Sequence, residues 1–507
     1  MHRDKEMLFN TPEYILFLPI VVLIYYLMPK KIRYIWLLGV SYYFYMRWNP
    51  IYISLLFLCT LITYIGGLIL EKLKNTETCS LENQQKKRFC LSLCIAANLG
   101  VLGFFKYISF GISLLNRIFS CLNISPVSWE RDILLPVGIS FYTLQALGYL
   151  IDVYRGDIYA ESNFIRYALF VSFFPQLVAG PIERTKNLLA QLYEFHSFDY
   201  EKMRKGLTLI LYGLFLKMVI ADRAAIIVDT VYEDSSVYPG FFIVVATVFF
   251  AIQIYCDFYG YSTIARGSAM LMGITLMDNF QAPYFSRNVR EFWRRWHISL
   301  SGWFRDYLYI PLGGSQRGKP RKEFNRLFVF GVSGLWHGAS LAFLSWGVLN
   351  GIYQVIEDLV DQLKQKLHSL TGTKLQNVAC FSKRLFQTVL TFFLVTVAWL
   401  FFRSGELEVA VEVLKNLFCC RNWIILFDGS LYELGVSKNY MNILLVSIFV
   451  LFVIDYHKYQ GKDVTDIFLR QGWWFRITAI MTLIFTILLY GCYGEVYNTQ
   501  QFIYFQF

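Results

Sequence analysis

The chain alternates between long stretches without a charged residue and short polar connections. Windows free of Asp, Glu, Lys and Arg run over Tyr14–Pro29, Trp48–Leu70, Phe89–Phe105, Ile133–Ile151, Tyr167–Ile182, Ser235–Cys256, Leu327–Ile356, Leu385–Phe402, Asn439–Ile454 and Ile477–Gly494. A helix needs roughly 17–25 mostly apolar residues to cross the hydrocarbon core of a bilayer. Most windows meet that length, and Leu327–Ile356 exceeds one crossing. Shorter windows, Tyr34–Met46 and Gly206–Leu216, are expected to span, tilt or re-enter. The pattern predicts an all-α, polytopic integral membrane protein of roughly ten to twelve spans. The polar connections Glu71–Arg88, Glu357–Arg384 and Arg403–Lys438 are neither Pro-rich nor of low complexity, and no internal repeat is visible. The expectation is a single membrane domain over residues 1–507.

Composition agrees. Hydrophobic residues make up 56% of the chain and charged residues 16%, where soluble domains carry about 25% charged residues. Aromatic residues reach 18%, which suits a protein with much surface at the headgroup level. The net charge of +11 is distributed between the predicted spans, the positive-inside pattern, and does not call for nucleic acid. On that rule Lys30, Lys31, Arg33 and the Glu71–Arg88 connection are cytoplasmic and the N-terminus is outside. No small-residue cleavage site follows the first apolar run, so the first helix is expected to be retained. The cysteines show no metal-ligand spacing with His and are expected to be free thiols; no metal site and no cofactor is predicted.

One segment breaks the pattern. Asp278–Arg326 carries ten Lys or Arg against four acids, a net +6. On a helical wheel Arg287–Tyr307 divides into an aromatic face (Phe292, Trp293, Trp296, Leu300, Trp303, Phe304, Tyr307) and a charged face (Arg287, Arg290, Glu291, Arg294, Arg295, Arg305). His297 falls at the boundary. This predicts an amphipathic interfacial helix over 287–307, within a basic cytoplasmic segment 278–326. It serves either as an anchor on anionic membrane lipid or as a docking surface for a phosphorylated donor.

His337 is the most informative single residue. It sits near the middle of Leu327–Ile356, flanked by Gly331, Gly334 and Gly338. Ionisable residues at depth usually face the protein interior or a water-filled cavity. Desolvation disfavours imidazolium, so the ring is expected to be neutral and able to act as a general base. The alternative is a structural histidine bonded to a neighbouring helix. Asp257 and Asp152 each close an apolar window and are expected to be structural, with Asp257 able to pair with an arginine of the basic segment. The tail Phe502–Phe507 is either an aromatic interface anchor or an insert presenting the Tyr504 hydroxyl. A phenol of pKa ~10 needs an adjacent base to act as a nucleophile.

Taken together, the motifs carry a resemblance. Asp257-Phe258-Tyr259-Gly260-Tyr261-Ser262, then the run from Glu291 to Tyr307, then Gly334-Leu335-Trp336-His337-Gly338 resemble the membrane-bound O-acyltransferases, in particular the bacterial alginate and peptidoglycan O-acetylation branch. Leu135-Pro136-Val137-Gly138-Ile139-Ser140-Phe141 and Phe174–Ile182 extend the likeness across essentially the whole chain. The resemblance implies a ring of helices, with re-entrant and interfacial pieces, around a central tunnel joining a cytoplasmic donor site to an outer acceptor side. It aligns His337 with the family's catalytic histidine and His297 with its second signature histidine. It likens the tail to a motif whose tyrosine, here Tyr504, carries the acyl group transiently.

Tyr309–Gly314 is more like the acetylating branch than the teichoic-acid D-alanylating proteins. The expected donor is therefore acetyl-CoA, with Arg287, Arg290, Arg294, Arg295 and Arg305 as donor-binding residues. The expected acceptor is a cell-surface polysaccharide, reached through an extracellular, membrane-anchored SGNH-type or esterase-like partner. D-alanyl transfer from a carrier-protein thioester is the alternative within the family. A proton-coupled transporter is the alternative outside it; paired repeats, which transporters often carry, are not seen.

Overall fold

The computed structural model describes residues 7–74, 81–128, 135–178, 180–371 and 381–493. Their regular secondary structure is helical, and the one β-type pairing among them is an isolated antiparallel bridge between Phe280 and Trp296. In chain order the α-helices are α1 (Pro12–Leu27), α2 (Arg33–Met46), α3 (Tyr52–Lys74), α4 (Leu81–Cys121), α5 (Ile139–Arg155), α6 (Phe164–Ser172), α7 (Phe174–Leu177), α8 (Thr185–Gln191), α9 (Tyr200–Phe215) and α10 (Asp222–Glu233). There follow α11 (Phe241–Leu271), α12 (Val289–Arg295), α13 (Ile298–Phe304), α14 (Lys319–His337), α15 (Leu341–Thr371), α16 (Phe381–Ser404), α17 (Leu407–Cys419), α18 (Lys438–Tyr459), α19 (Val464–Leu469) and α20 (Trp473–Tyr490).

Six of these, α3, α4, α11, α16, α18 and α20, are long and apolar enough to cross a membrane; α1 is apolar but shorter. Three charge-free windows of the sequence are built differently. Ile133–Ile151 yields α5, nearly every residue of which is buried in protein. Tyr167–Ile182 breaks into α6 and the four-residue α7. Leu327–Ile356 divides between α14 and α15, which turn back on each other at Gly338–Ser340. Residues buried in protein avoid charge as firmly as residues facing lipid do, so a charge-free window does not by itself mark a crossing.

The chain forms two compact units, Met1–Ile210 with Tyr261–Met277, and Leu211–Gly260 with Asp278–Phe507. The first is tied by buried polar contacts. Tyr167 Oη donates to Thr63 Oγ1 at 2.7 Å, and Gln176 Nε2 donates to Gln145 Oε1 at 3.0 Å. The two motifs noted above meet there. Gly138 has φ +75°, and a Cβ on it would lie 2.5 Å from the Leu177 carbonyl oxygen, so the position needs glycine on both counts.

The second unit holds the candidate site. In it Asp257 pairs with a lysine outside the basic segment. Its carboxylate meets Lys217 Nζ at 2.7 Å, and Lys217 also reaches Asp222 at 2.8 Å. A buried carboxylate is stabilised by the nearest buried cation, and a π-helical turn over Leu216–Ala221 carries Lys217 inward.

Candidate functional site

The site is built on the α14–α15 hairpin. A Cβ on Gly334 would fall inside van der Waals contact with the Phe343 carbonyl oxygen, and one on Gly347 would do the same at Phe330. The two helices therefore touch through backbone, the close approach that small residues permit. His337 is the last residue of α14, where the Gly338 N–H still donates to the Gly334 carbonyl. The sequence placed His337 mid-window. The structure places it at a helix end, 4% exposed. Its ring packs edge-on to Trp346 of α15 (centroids 5.1 Å apart) and Phe402 of α16 (5.5 Å).

The basic segment is not one amphipathic helix. It breaks at Trp296-His297, between α12 and α13. His297 has φ 43° and ψ 56°, the left-handed region, which costs a residue with a Cβ roughly 1–2 kcal/mol. Neighbouring hydrogen bonds impose that shape. The Ile298 N–H donates to the Asn279 carbonyl (3.0 Å), the Ser299 N–H to Asn279 Oδ1 (3.3 Å), and the Gln281 N–H to the Arg295 carbonyl (3.0 Å). Lys458 Nζ in turn holds the Phe280 carbonyl at 2.6 Å. The break turns His297 from the expected boundary into the interior, where it is fully buried. Its ring lies against Phe258 (4.6 Å) and 6.4 Å, centroid to centroid, from that of His337. Burial pushes its pKa down to about 3, so the imidazole is neutral at pH 7. Hydrophobic periodicity alone could not reveal the break, because the residues it bonds to, Asn279–Gln281, lie outside the helical window.

The aromatic face predicted for this segment is buried except at Tyr307. Trp293 packs against Phe330 and Trp346, and its indole N–H donates to Asn350 Oδ1 at 3.2 Å. The charged face meets partners that the sequence reading missed, three carboxylates late in α15. Arg290 binds Glu357 (3.2 Å), Asp358 (2.7 Å) and Asp361; Lys322 and Arg326 converge on the same Asp358. Glu357 also accepts the N–H groups of Val289 and Arg290 that begin α12. Spacing alone held this signal, since 357, 358 and 361 share one helix face.

The five arginines singled out from sequence therefore divide. Arg290 is committed to that network. Arg295 pairs with Glu291 at 3.0 Å and lies over the Tyr459 ring, where Arg287 also stacks. Arg305 pairs with Asp306 at the surface. Arg294 is exposed and makes no ion pair among the described residues. A cavity of about 320 Å³ opens between these elements, with Arg290, Arg294, Arg305 and Arg326 among its lining residues. Its walls are Trp293, Leu300, Phe304 and Phe330, and it includes Ser333, one helical turn before His337. Tyr504 and the tail lie outside the described residues.

His297, His337 and the residues lining the cavity fall inside residues 158–400, which match the model of the membrane-bound O-acyltransferase family. The chain is 37% identical over 411 residues to a probable alginate O-acetylase of Pseudomonas aeruginosa, covering 80% of this chain and 74% of that protein. It is 33% identical over 452 residues to the peptidoglycan O-acetyltransferase of Helicobacter pylori, covering 82% and 80%. A teichoic acid D-alanyltransferase of Streptococcus thermophilus matches at 29% over 245 residues, 46% of this chain and 59% of that protein. With these relatives, its long apolar helices and two facing buried histidines, the chain is a multi-pass membrane O-acyltransferase and belongs to the membrane-bound O-acyltransferase family.

Proposed function

We propose that this protein takes an acetyl group from cytoplasmic acetyl-CoA and passes it across the membrane for O-acetylation of a cell-surface polysaccharide. The observation that carries this reading is the run of features along one hairpin: an arginine-bearing, aromatic-walled cavity at one end and the His297–His337 pair at the other. The acetylating relatives match over more of the chain, and at higher identity, than the D-alanylating one.

In the proposed reaction, anionic groups of the donor rest near Arg294 and Arg305, and the thioester points inward toward His337. Neutral His337 takes the proton of an attacking hydroxyl. The new C–O bond forms as the C–S bond breaks, and the proton passes to the departing thiolate. His297, neutral and facing it, shapes the pocket and polarises the reacting groups. The attacking hydroxyl belongs to Tyr504 or directly to the acceptor. A separate esterase-like partner completes transfer to the polymer outside. In this proposal interior helices add to the six long ones to give roughly ten to twelve crossings and the tunnel that the family resemblance implies.

The test is the O-acetyl content of separated surface polymers, and acetyl release from labelled acetyl-CoA by the purified protein. His337→Ala is expected to lower both by 10²–10⁴-fold, roughly the worth of a general base. Wild-type O-acetylation by His337→Ala at equal expression would overturn the assignment.

A further inference from the structure

Two residues that line the cavity are each more than nine-tenths buried, and their side chains make no hydrogen bond among the described residues. Ser333, in α14, is 6% exposed, and Gln354, in α15, is 8% exposed. Both line the cavity. Neither the Ser333 hydroxyl nor the Gln354 amide makes a hydrogen bond to any described residue, while polar side chains beside them do. Ser301 Oγ donates to the Trp296 carbonyl, Asn350 bonds both the Trp293 indole and the Trp346 carbonyl, and Asn325 bonds the carbonyls of Leu312 and Gly314. A helical serine ordinarily bonds back to the carbonyl four residues earlier, as Ser41, Ser172 and Ser404 do here. Buried polar groups left unmade are uncommon and call for a ligand or water.

Position gives the two groups different tasks. Ser333 and His337 are four residues apart on one helix, so they share a face. Gln354 lies between Asn350 and Asp358 on the same face of α15, one turn from the charged end and one turn from the Trp293 contact. Together they mark two depths along the cavity wall.

We propose that Ser333 and Gln354 contact the donor directly: the Ser333 hydroxyl donates to the thioester carbonyl oxygen, and the Gln354 amide pairs with an amide of the pantetheine arm behind it. This rests on the reading of the cavity as the donor site. In the transfer step the carbonyl oxygen gains negative charge as the hydroxyl oxygen bonds to carbon, and Ser333 keeps its proton while stabilising that charge. The C–S bond then breaks, and the proton held by His337 goes to the sulfur. A pantetheine arm is common to acetyl-CoA and to an acylated carrier protein, so the contact itself fits either source.

The experiment uses the full chain in nanodiscs with acetyl-CoA, and in a parallel arm an acetylated carrier protein. Ser333→Ala is expected to lower kcat roughly 100-fold, the scale of losing one oxyanion donor, with the donor KM little changed and the thermal midpoint held. Ser333→Thr, which restores a hydroxyl, should recover much of the rate. Gln354→Met is expected to raise the donor KM several-fold with kcat held. Saturation by acetyl-CoA alone assigns the arm to the coenzyme, and turnover only with the carrier protein assigns it to the carrier. Wild-type kinetics in Ser333→Ala and Gln354→Met, while His337→Ala is inactive, would overturn the inference and leave the proposed function standing. Wild-type kinetics in His337→Ala as well would remove the function itself. A fall in thermal midpoint that accounts for the lost rate would assign these side chains to the fold and also overturn the inference.

Discussion

At one end of the α14–α15 hairpin, Glu357, Asp358 and Asp361 gather Arg290, Lys322 and Arg326. At the other end the same two helices touch through Gly334 and Gly347 and close beside His337. The first end is held by charge and adjusts, because long side chains can re-pair. The second is held by backbone contact and does not, because a glycine has nothing to rotate. The α12–α13 segment runs along both: Arg290 at the charged end, Trp293 midway, His297 facing His337. In the proposed reaction, a donor entering at the charged end would meet an adjustable mouth and react in a fixed interior.

The fixed end should break first and most. Gly334→Ala places a methyl against the Phe343 carbonyl, and neither partner has a flexible end to move. Overpacking of this kind costs about 1–3 kcal/mol, occasionally more. The expected result is a large drop in thermal midpoint in detergent and loss of transfer activity. Gly331→Ala on the same helix meets a Leu344 methyl at 3.5 Å and a Val348 methyl at 3.9 Å, both ordinary contacts. It should keep both stability and activity. Equal behaviour of the two alanines in a thermal melt would remove the distinction between the ends.

Asp358 tests the adjustable end. Burial raises its pKa, but hydrogen bonds from Lys322 and Arg326, and their charge, outweigh that and hold it below the usual carboxylate range. A carboxyl depressed in the folded state contributes stability that is present above its unfolded pKa and lost as pH falls through the folded value. Melting curves should therefore show wild type losing stability below about pH 4, with Asp358→Asn less stable at neutral pH and flatter in the acid range. Hydrogen bonds to charged groups are worth roughly 1.5–3 kcal/mol. Glu357 and Asp361 still hold Arg290, so the lower part of that range is expected.

The two ends also differ in how far sequence revealed them. The membrane class followed from charge-free windows, and of the aromatic face of Arg287–Tyr307 all but Tyr307 is buried, in α12, in α13 and at Trp296 between them. His337 stood out because an ionisable residue inside an apolar window has few explanations. What sequence could not show was set by contacts between distant residues. The left-handed turn at His297 depends on Asn279, eighteen positions earlier. The neutralisation of Arg290 depends on α15, some seventy positions later. Asp257 looked available to an arginine until the π-helical turn brought Lys217 to it. Helical periodicity reports which face is buried, not what covers it.

The smallest effect separates the arginines from one another. Arg290 and Arg294 both line the cavity, and from sequence both were donor-binding residues. Arg290 holds α12 to α15 through three carboxylates, so Arg290→Gln should lower the thermal midpoint. Arg294 is exposed and makes no ion pair among the described residues, so Arg294→Gln should leave the fold intact. Its charge can act only on an anion that arrives from solution. An exposed pair is worth up to about 1 kcal/mol, or roughly fivefold in affinity, and screening by salt reduces it further. Because that attraction is equal in the ground and transition states, it enters KM and not kcat. The expected outcome is a donor KM raised two- to fivefold, by rough estimate, with kcat unchanged and the difference fading at high ionic strength. A kcat loss in Arg294→Gln, or a salt-independent KM, would move Arg294 from the mouth to the fixed interior.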